Sequence, residues 1–460
     1  MLTWLVEHAS EDAAAVVRPS GETMTFGDLT LAVRATAETL VQSGVSLAGR
    51  GIGVAVTDQA GALVSILAAF EVGAIPILLP TSATDMLAIC RPALLLRGQV
   101  DDRIELEPGD ADPRLFGPEV GMVLPSSGSA GLAHAVVLPG RGMQLQADLI
   151  GAQLGLDAST RTAVLSPFHH VTPLIGQALS TLRRGGAVLA LSWGQAVDTL
   201  PALLHRLGAD SVTAPPSLLG RLARATLALA SEDRPQLRFV ASVGAPREAW
   251  IDRELGKAFP AARRWDHYGL TEAGGRVAAT HDAARGSVGI ALPGMTVVAV
   301  NDGGDVLPPG QSGELRVSSP SLMLEYLDAP EATRKILGSG GLLTGDLGRV
   351  DADGRVFVDG RRDDQAKIGL HRVFTESIAA ALRQEPGVGE LCVLGALDPE
   401  GGQRLVCFVE ANPTVVDRLR ERARGLLPPE RPSRYVELDH LPHLDNHKID
   451  RQSLRRMVEL

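Results

Sequence analysis

Short apolar runs rich in β-branched residues alternate with longer helical patterns over residues 51 to about 246. The strand-like runs include 163–165, 187–191 and 239–241, and the helical patterns include 173–183 and 196–207. This alternation predicts parallel strands covered by helices on both faces, which is the α/β class. A chain of 460 residues, of which 45% are apolar, is long enough for a large core and for more than one domain.

The sequence changes character in its second half. Over 288–358 it has short strand-like runs separated by Gly and Asp turns such as 351–354, which predicts an antiparallel, barrel-like addition. A charged segment without apolar periodicity follows, and we place a domain boundary in it at Asp363. The expected units are a large N-terminal domain, 1–362, and a small C-terminal domain, 363–460.

The small C-terminal domain has an α+β pattern, and about a hundred residues suffice for such a domain. Its first helix is expected to be capped by Thr375 and to stop at 386–387. The other expected elements are a strand at 390–394, a hairpin turn at 398–402, a strand at 404–409, a helix near 416–426 and a short helix after Asp450.

Charge and cysteine usage exclude several classes of protein. A net charge of −10 argues against a general nucleic-acid binder, because affinity for phosphate backbones comes mostly from Lys and Arg. Cys90, Cys392 and Cys407 are far apart in the sequence and form no CxxC pair, so neither a disulfide framework nor a zinc site is indicated. The N-terminus lacks a signal-peptide pattern and the apolar region 60–80 is interrupted, so we expect no membrane span and a cytoplasmic location.

A run of small residues follows the strand-like segment 120–124. It consists of Ser126, Ser127, Gly128, Ser129, Ala130 and Gly131. Its hydroxyls and unhindered backbone amides can wrap an anionic group. The same composition is common in ordinary turns, and the segment lacks the Gly-Lys-Ser/Thr ending of a Walker loop.

Two further segments combine groups that bind nucleotides. Tyr268-Gly-Leu-Thr-Glu272 offers a ring on which a base can stack, a hydroxyl for a phosphate and a carboxylate for Mg²⁺. The alternative is a helix start with Thr271 as its cap. In Thr344-Gly-Asp346, an exposed Asp after a Gly turn can bind both hydroxyls of a ribose or merely close the turn.

Taken in order along nearly the whole chain, these segments resemble the adenylate-forming superfamily of acyl-CoA synthetases, nonribosomal-peptide adenylation domains and luciferases. The signature Tyr-Gly-x-Thr-Glu is present letter for letter at 268–272. The other segments similar to family motifs are 126–135, 165–169, 244–246, 313–315, Tyr326, 330–333, 344–346, 351–354, 360–361, 441–442 and 446–451.

The resemblance implies ATP and Mg²⁺ as cofactors and assigns roles to residues at matching positions. The adenine slot would comprise Gly244, Ala245, Pro246, Tyr268 and Gly269, with Asp266 near the amino edge of the base. Asp346 and Arg361 would bind the ribose, and the loop with Ser126, Ser127, Gly128, Ser129 and Gly131 would follow the β- and γ-phosphates. The catalytic positions would be Thr271 at the α-phosphate, Glu272 at the magnesium and Lys448 from the small domain, which would turn about Asp363. His169 or His170 would be a gate between the acyl pocket and the channel of the nucleophile.

Several positions depart from the family pattern. His134 stands in the phosphate loop where a Lys is usual, Leu370 stands where we align a glycine near the path of the pantetheine arm, and His447 replaces the Gly before the catalytic Lys. His169 stands where amino-acid-activating members have an Asp, which disfavours an α-amino acid as substrate. The pocket walls at 171–177 and around Val243 are expected to be aliphatic.

The resemblance therefore implies a ligase that activates a carboxylic acid as acyl-AMP with release of pyrophosphate. The acyl group would pass to CoA or to the phosphopantetheine thiol of a carrier protein. Leu370 motivates an alternative, in which an amine or another non-thiol nucleophile accepts the acyl group. A second alternative, motivated by His134 and His447, is a nucleotide-binding pseudoenzyme.

Overall fold

The computed structural model describes residues 1–80, 84–98, 104–126, 134–191, 196–245, 247, 249–281, 286–369, 371–398, 402–444 and 449–458. Within these residues the first part of the chain alternates strands and α-helices. The elements are α1 Leu2–Val6, β1 Ala14–Val17, β2 Thr23–Thr25, α2 Phe26–Gln42, β3 Gly51–Ala55, α3 Gln59–Glu71, β4 Ile75–Leu78, α4 Thr84–Cys90, β5 Leu94–Gly98, β6 Ile104–Pro108, β7 Val120–Pro125, β8 Ala135–Pro139, α5 Gly140–Leu154, β9 Arg161–Val164, α6 Ser180–Arg183, β10 Ala187–Ala190, α7 Leu200–Arg206, β11 Ser211–Ala214, α8 Pro216–Leu227, β12 Phe239–Val243 and α9 Ala249–Ala258.

Strands dominate the middle of the chain, and a mixed unit follows. The middle elements are β13 Arg263–Leu270, β14 Gly275–Thr280, β15 Ser287–Ala291, β16 Thr296–Val300, β17 Gly313–Ser318, β18 Glu325–Tyr326, α10 Pro330–Ile336, β19 Leu337–Gly338, β20 Gly341–Val350 and β21 Arg355–Arg361. The last elements are β22 Gln365–Ile368, β23 His371–Phe374, α11 Thr375–Leu382, β24 Leu391–Leu397, β25 Gln403–Val409, α12 Pro413–Ala423, β26 Arg434–Glu437 and α13 Arg451–Arg456.

Two large sheets form the layers of the first two parts. One has the order β18-β8-β7-β4-β3-β5-β6, and β3 is parallel to both β4 and β5. Both β3 and β4 are buried along their whole length, which is typical of parallel strands covered on both faces. The predicted α/β class is confirmed, because α3 and the strands on either side of it bury their apolar side chains in one cluster.

The larger sheet runs in the order β16-β17-β20-β21-β15-β14-β13-β12-β11-β9-β10-β1-β2, and β19 also pairs with β20. Its strands are parallel from β10 to β13 and antiparallel from β13 to β16. The antiparallel addition predicted over 288–358 is therefore present, and it continues the parallel sheet through hydrogen bonds. Because β12 and β13 are parallel, their carboxyl ends lie at the same edge.

Two predicted helices differ from the observed ones. The pattern at 173–183 is helical, but it begins as a π-helix, Thr172–Leu179, before α6. A π-helical turn is wider than an α-helical turn and occurs frequently at functional sites. The helix predicted at 196–207 is the shorter α7, Leu200–Arg206, with Pro201 in its first turn, where the missing N–H of proline costs nothing.

The last part of the chain has the predicted α+β composition. Strands β24 and β25 are antiparallel, and β26 is parallel to β25. The hairpin turn predicted at 398–402 lies mostly outside the described residues, because 399–401 are not among them. The short helix after Asp450 is confirmed, because the Asp450 carboxylate accepts hydrogen bonds from the backbone N–H groups of Gln452 and Ser453.

The predicted cap of α11 is wrong. Phe374 is the N-cap residue of that helix, and the hydroxyl of Thr375 donates instead to the carbonyl of Asp364 at 2.9 Å. The helix also ends at Leu382, before the predicted stop at 386–387. Thr375 thus fixes the start of this helix to the chain segment that leads into the last part.

That segment is a 3₁₀ turn, Arg362–Asp364, between β21 and β22. The Arg362 guanidinium forms an ion pair with Glu314 at 2.6 Å and another with Asp302. Two residues later, Asp364 forms an ion pair with Arg451 at 2.8 Å. The domain boundary at Asp363 stays a prediction, supported by apolar clusters that are formed by residues between 366 and 458.

The three cysteines are free thiols and all are buried. Cys392 and Cys407 lie on the paired strands β24 and β25, but their side chains pack into different apolar clusters. No described helix has both the length and the apolar character needed to cross a membrane.

Candidate functional site

The side chain of Tyr268 meets Asp346 and Arg361 at the centre of the larger sheet. The Tyr268 hydroxyl donates to Asp346 Oδ2 at 2.6 Å, and Arg361 Nη1 lies 3.7 Å from Asp346 Oδ1. Asp346 and Arg361 are register partners on β20 and β21. The structure therefore brings together three predicted nucleotide-binding residues that are up to 93 positions apart.

Asp346 is not the exposed turn residue that the sequence suggested. It lies within β20 and is 7% exposed, while Gly345 beside it adopts a φ of 72°, which a residue without Cβ does at no steric cost. Burial raises the pKa of Asp346, and the nearby Arg361 and the hydrogen bond from Tyr268 act in the opposite direction. Burial is the main cause that raises the pKa of Tyr268 well above its ordinary value, and the negative charge of Asp346 is the second. The hydroxyl of Tyr268 therefore keeps its proton and remains a hydrogen-bond donor.

Glu272 is held by a tyrosine from a distant segment. The hydroxyl of Tyr326 donates to Glu272 Oε1 at 2.7 Å. The ring of His134 stacks on the Tyr326 ring, with centroids 4.5 Å apart and planes 27° from parallel. Burial is the main cause that raises the pKa of Tyr326, and the charge of Glu272 is the second. The hydroxyl of Tyr326 therefore keeps the proton that it donates to Glu272. Sequence reasoning gave Tyr326 no role, because a single Tyr at the end of the two-residue strand β18 carries no local signal of its partner.

The Thr271–Ala273 segment is a 3₁₀ turn directly after β13. Leu270 is its N-cap residue, so the alternative in which Thr271 caps a helix is not what the structure shows. Thr271 instead begins the turn, one residue before Glu272. No cluster of three His, Cys, Asp or Glu side chains that could hold a metal occurs in the part of the chain that is described. A Mg²⁺ ion at Glu272 therefore needs other oxygens as ligands, and nucleotide phosphates supply such oxygens.

Of the small residues predicted to follow the phosphates, only Ser126 is among the described residues. The backbone N–H of Ser126 donates to the His134 carbonyl at 2.8 Å, and the Ser126 hydroxyl accepts from the His134 N–H at 2.9 Å. These two bonds close the loop at its base. The predicted site residues that lie outside the described residues are Ser127, Gly128, Ser129, Gly131, Pro246 and Lys448, together with the variant positions Leu370 and His447.

Gly244 and Ala245 follow β12 at the same sheet edge that β13 reaches with Tyr268. Gly244 has a φ of 85°, so the chain turns there in a conformation that other residues rarely adopt. Asp266, on β13, accepts a hydrogen bond from Arg247 at 2.8 Å. Burial raises the pKa of Asp266, and Arg247 opposes that rise.

A small cavity lies beside this edge. It is lined by Ile150, Val171, Thr172, Gly176, Val243, His267, Tyr268, Gly269, Gly275 and Arg276 and holds about 10 Å³. That volume is about the least that a water molecule needs. The walls expected at 171–177 and Val243 do contribute, and the π-helix carries one of them. The ring centroids of His169 and His170 lie 4.3 Å apart, and the two ring planes are inclined by 53°.

The aliphatic character expected at 171–177 and around Val243 stays a prediction, and the lining of the cavity outside these segments includes His267 and Arg276. Sequence reasoning missed both residues. The available signal for Arg276 was a lone cation within the otherwise small and apolar strand β14. Its guanidinium donates to Gln153 Oε1 at 3.2 Å.

Two family models match the chain. Residues 118–327 match the model described as AMP-binding enzyme, and residues 377–448 match that of the AMP-binding enzyme C-terminal domain. Together these matches cover more than half of the 460 residues. The second match lies within the part of the chain after the proposed boundary.

Curated relatives agree with the family models. The fatty acid–[acyl-carrier-protein] ligase ScoC of Streptomyces coeruleorubidus is 31% identical over 350 residues, which cover 72% of this chain and 66% of that protein. The 4-chlorobenzoate–CoA ligase of an Arthrobacter species is 27% identical over 498 residues, covering 98% of this chain and 93% of the relative. For five of its curated relatives, the chain spans between 53% and 66% of their length.

The fold is also found among solved structures. The crystal structure of ATP-bound MatB from Rhodopseudomonas palustris has a TM-score of 0.87 and 22% sequence identity, and the match covers 100% of this chain and 98% of that one. At this identity the likeness shows the shared fold alone.

Proposed function

Because the chain belongs to the AMP-binding enzyme family, we propose that it uses ATP to activate a carboxylic acid as an acyl-adenylate and releases pyrophosphate. The observation that carries this proposal is the contact of Tyr268 with Asp346 at 2.6 Å. It joins the aromatic residue expected at the adenine to the carboxylate expected at the ribose, with Arg361 beside them.

Each group has a role that follows from its chemistry. Asp346 accepts hydrogen bonds from the ribose hydroxyls, and the Tyr268 ring together with Gly244 and Ala245 holds the adenine. Thr271 donates to the α-phosphate. Glu272, whose Oε1 is bonded to Tyr326, offers its other oxygen to Mg²⁺.

In the proposed reaction a carboxylate oxygen of the acid attacks the α-phosphorus in line. An oxygen–phosphorus bond forms, the bond from that phosphorus to the bridging oxygen of the β-phosphate breaks, and pyrophosphate leaves with the electron pair. Mg²⁺, when bound, neutralises charge on the phosphate oxygens. Lys448 donates to the oxygens on which charge develops, and His169 stands between the acid and the nucleophile of the next step.

For that next step we propose a thiol acceptor, either CoA or the phosphopantetheine of a carrier protein. The names of the two relatives support this choice, because one acts on an acyl carrier protein and the other on CoA. Asp363 is the proposed hinge that exchanges Lys448 for the thiol path. We place the enzyme in the cytoplasm, and the three buried free thiols suit its reducing conditions.

The test is acid-dependent release of pyrophosphate by the full chain across a broad panel of acids. We expect release with at least one acid, and the Lys448→Ala variant should lose about 10²- to 10³-fold in rate. The matched control is Lys257→Ala, because Lys257 is exposed and its ion pair within the described part of the chain is with Glu254 on its own helix. Tight binding of ATP without release for any acid would show a pseudoenzyme and overturn the proposal. Mass spectrometry of products formed with CoA and with amines separates the thiol acceptor from the non-thiol alternative.

A further inference from the structure

The cavity beside β12 and β13 is lined in part by Val171, Gly176 and Val243, from the segments expected to form the walls of the acid pocket, and its lining also includes His267 and Arg276. His267 lies on β13 and Arg276 on the antiparallel neighbour β14, and each is 6% exposed. The opposite walls come from apolar or small residues such as Ile150, Val171 and Gly176. His267 and Arg276 are therefore the basic residues of a lining that is otherwise apolar or small except for Thr172 and Tyr268.

His267 has no hydrogen-bond partner among the described residues. Both ring nitrogens, Nδ1 and Nε2, are buried and unpaired there. Burial, followed by the charge of Arg276, lowers the pKa of His267 well below its ordinary value, so the ring is neutral. A neutral imidazole has one N–H donor, and a buried donor without an acceptor is costly. An acceptor on the bound acid would remove that cost.

Arg276 is a buried cation without an acidic partner in the described part of the chain. Its hydrogen bond goes to the neutral amide oxygen of Gln153 at 3.2 Å. Burial lowers its pKa to about 9, so the guanidinium still carries its charge at neutral pH. A buried charge is ordinarily paired, because its desolvation is otherwise uncompensated. The missing counter-charge can come from the ligand.

We infer that the acid activated here carries a second carboxylate, which binds between Arg276 and His267. This inference rests on the proposed function. Both groups offer N–H donors, and a carboxylate accepts from both while it neutralises the cation. A purely apolar tail would leave Arg276 without a counter-charge and the imidazole N–H of His267 without an acceptor. An ammonium group would meet the like charge of Arg276.

The test compares butanedioic acid with butanoic acid, which have the same chain length and differ by one carboxylate. We expect kcat/KM for pyrophosphate release to favour butanedioic acid by about 10- to 100-fold, the range of a hydrogen bond to a charged group. Arg276→Leu should reduce this ratio at least tenfold. Arg224→Leu is the matched control, because the Arg224 guanidinium lies over the Trp250 ring, 4.5 Å from its centroid and away from the cavity. That control should keep the ratio of the unmodified enzyme.

His267→Phe is a second variant, in case Arg276→Leu does not fold. It keeps an aromatic ring and removes the donor, so it should also lower the ratio. A preference of the unmodified enzyme for butanoic acid, or an unchanged ratio in a folded Arg276→Leu or His267→Phe variant, would overturn the inference and leave the proposed function standing. No release with any acid of the broad panel would overturn the proposed function and this inference together.

Discussion

Replacing Tyr268 with Phe removes one oxygen atom, the hydroxyl that donates to Asp346 at 2.6 Å. Asp346 is only 7% exposed, and its remaining charged partner, Arg361, is 3.7 Å away. A hydrogen bond to a charged group contributes about 1.5–3 kcal/mol. We therefore expect Tyr268→Phe to lower the free energy of unfolding at neutral pH by about that amount.

The loss should depend on pH with a defined sign. Burial raises the pKa of Asp346 in the folded state above its value in the unfolded state. The stability that comes from the protonated carboxyl is therefore full below the unfolded pKa, and it is lost as the pH rises through the folded pKa. The bond from Tyr268 opposes that rise. The variant therefore has a still higher folded pKa for Asp346, and its deficit relative to the unmodified protein grows as the pH rises through the two folded pKa values.

The assay is denaturant unfolding followed by circular dichroism, with Tyr435→Phe as the matched control. The Tyr435 hydroxyl is buried and has no hydrogen-bond partner among the described residues, so its removal should change stability by less than about 0.5 kcal/mol. In an Asp346→Asn background the effect of Tyr268→Phe should shrink, which measures the coupling directly. Equal losses for the two Phe variants, or no coupling to Asp346, would refute the reasoning.

Two further predictions concern other parts of the fold. Oε2 of Glu390 lies 2.6 Å from Nε2 of His443, and this contact raises the pKa of His443 above the ordinary value of 6.5. The stability that the pair contributes should therefore be full below pH 6.5 and be lost as the pH rises through the raised pKa of His443. Unfolding from about pH 6 to about pH 9 should show this loss, and Glu390→Gln should abolish it. A Cβ at Gly269 would lie 2.0 Å from the Gly275 carbonyl oxygen, so Gly269→Ala should lower stability by about 1–3 kcal/mol in thermal unfolding. Gly256→Ala, where the nearest atom is 3.7 Å away within a helix, should be neutral or stabilising, and a similar loss in both would contradict the steric reason.

The sequence was sufficient to predict the nucleotide side of the site. Tyr268, Asp346 and Arg361 lie in short segments whose order matches the family, and the family's sheet brings such segments together. The parallel strands were predictable because strands buried on both faces have continuous apolar runs.

The acid side was not predictable in the same way. Which side chains of β14 reach the cavity depends on its register with β13, and a register shift lies between Tyr268 and Gly269. A one-residue shift moves a side chain to the other face of a strand, and no local pattern reports it. Arg276 therefore came to light only through the structure. The predicted cap at Thr375 was wrong because the hydroxyl of Thr375 donates to the carbonyl of Asp364 and does not cap the helix that Thr375 begins.

The ion pairs on either side of Asp363 have a mechanical consequence. Arg362 is tied to Glu314 and Asp302, and Asp364 is tied to Arg451. If the last part of the chain turns as a rigid body while these pairs hold, the torsion cannot spread along the linker. The rotation is then taken up by the φ and ψ angles of Asp363 and by the backbone torsions directly on either side of it. The connection then behaves as a pivot with a defined axis, and not as a flexible tether.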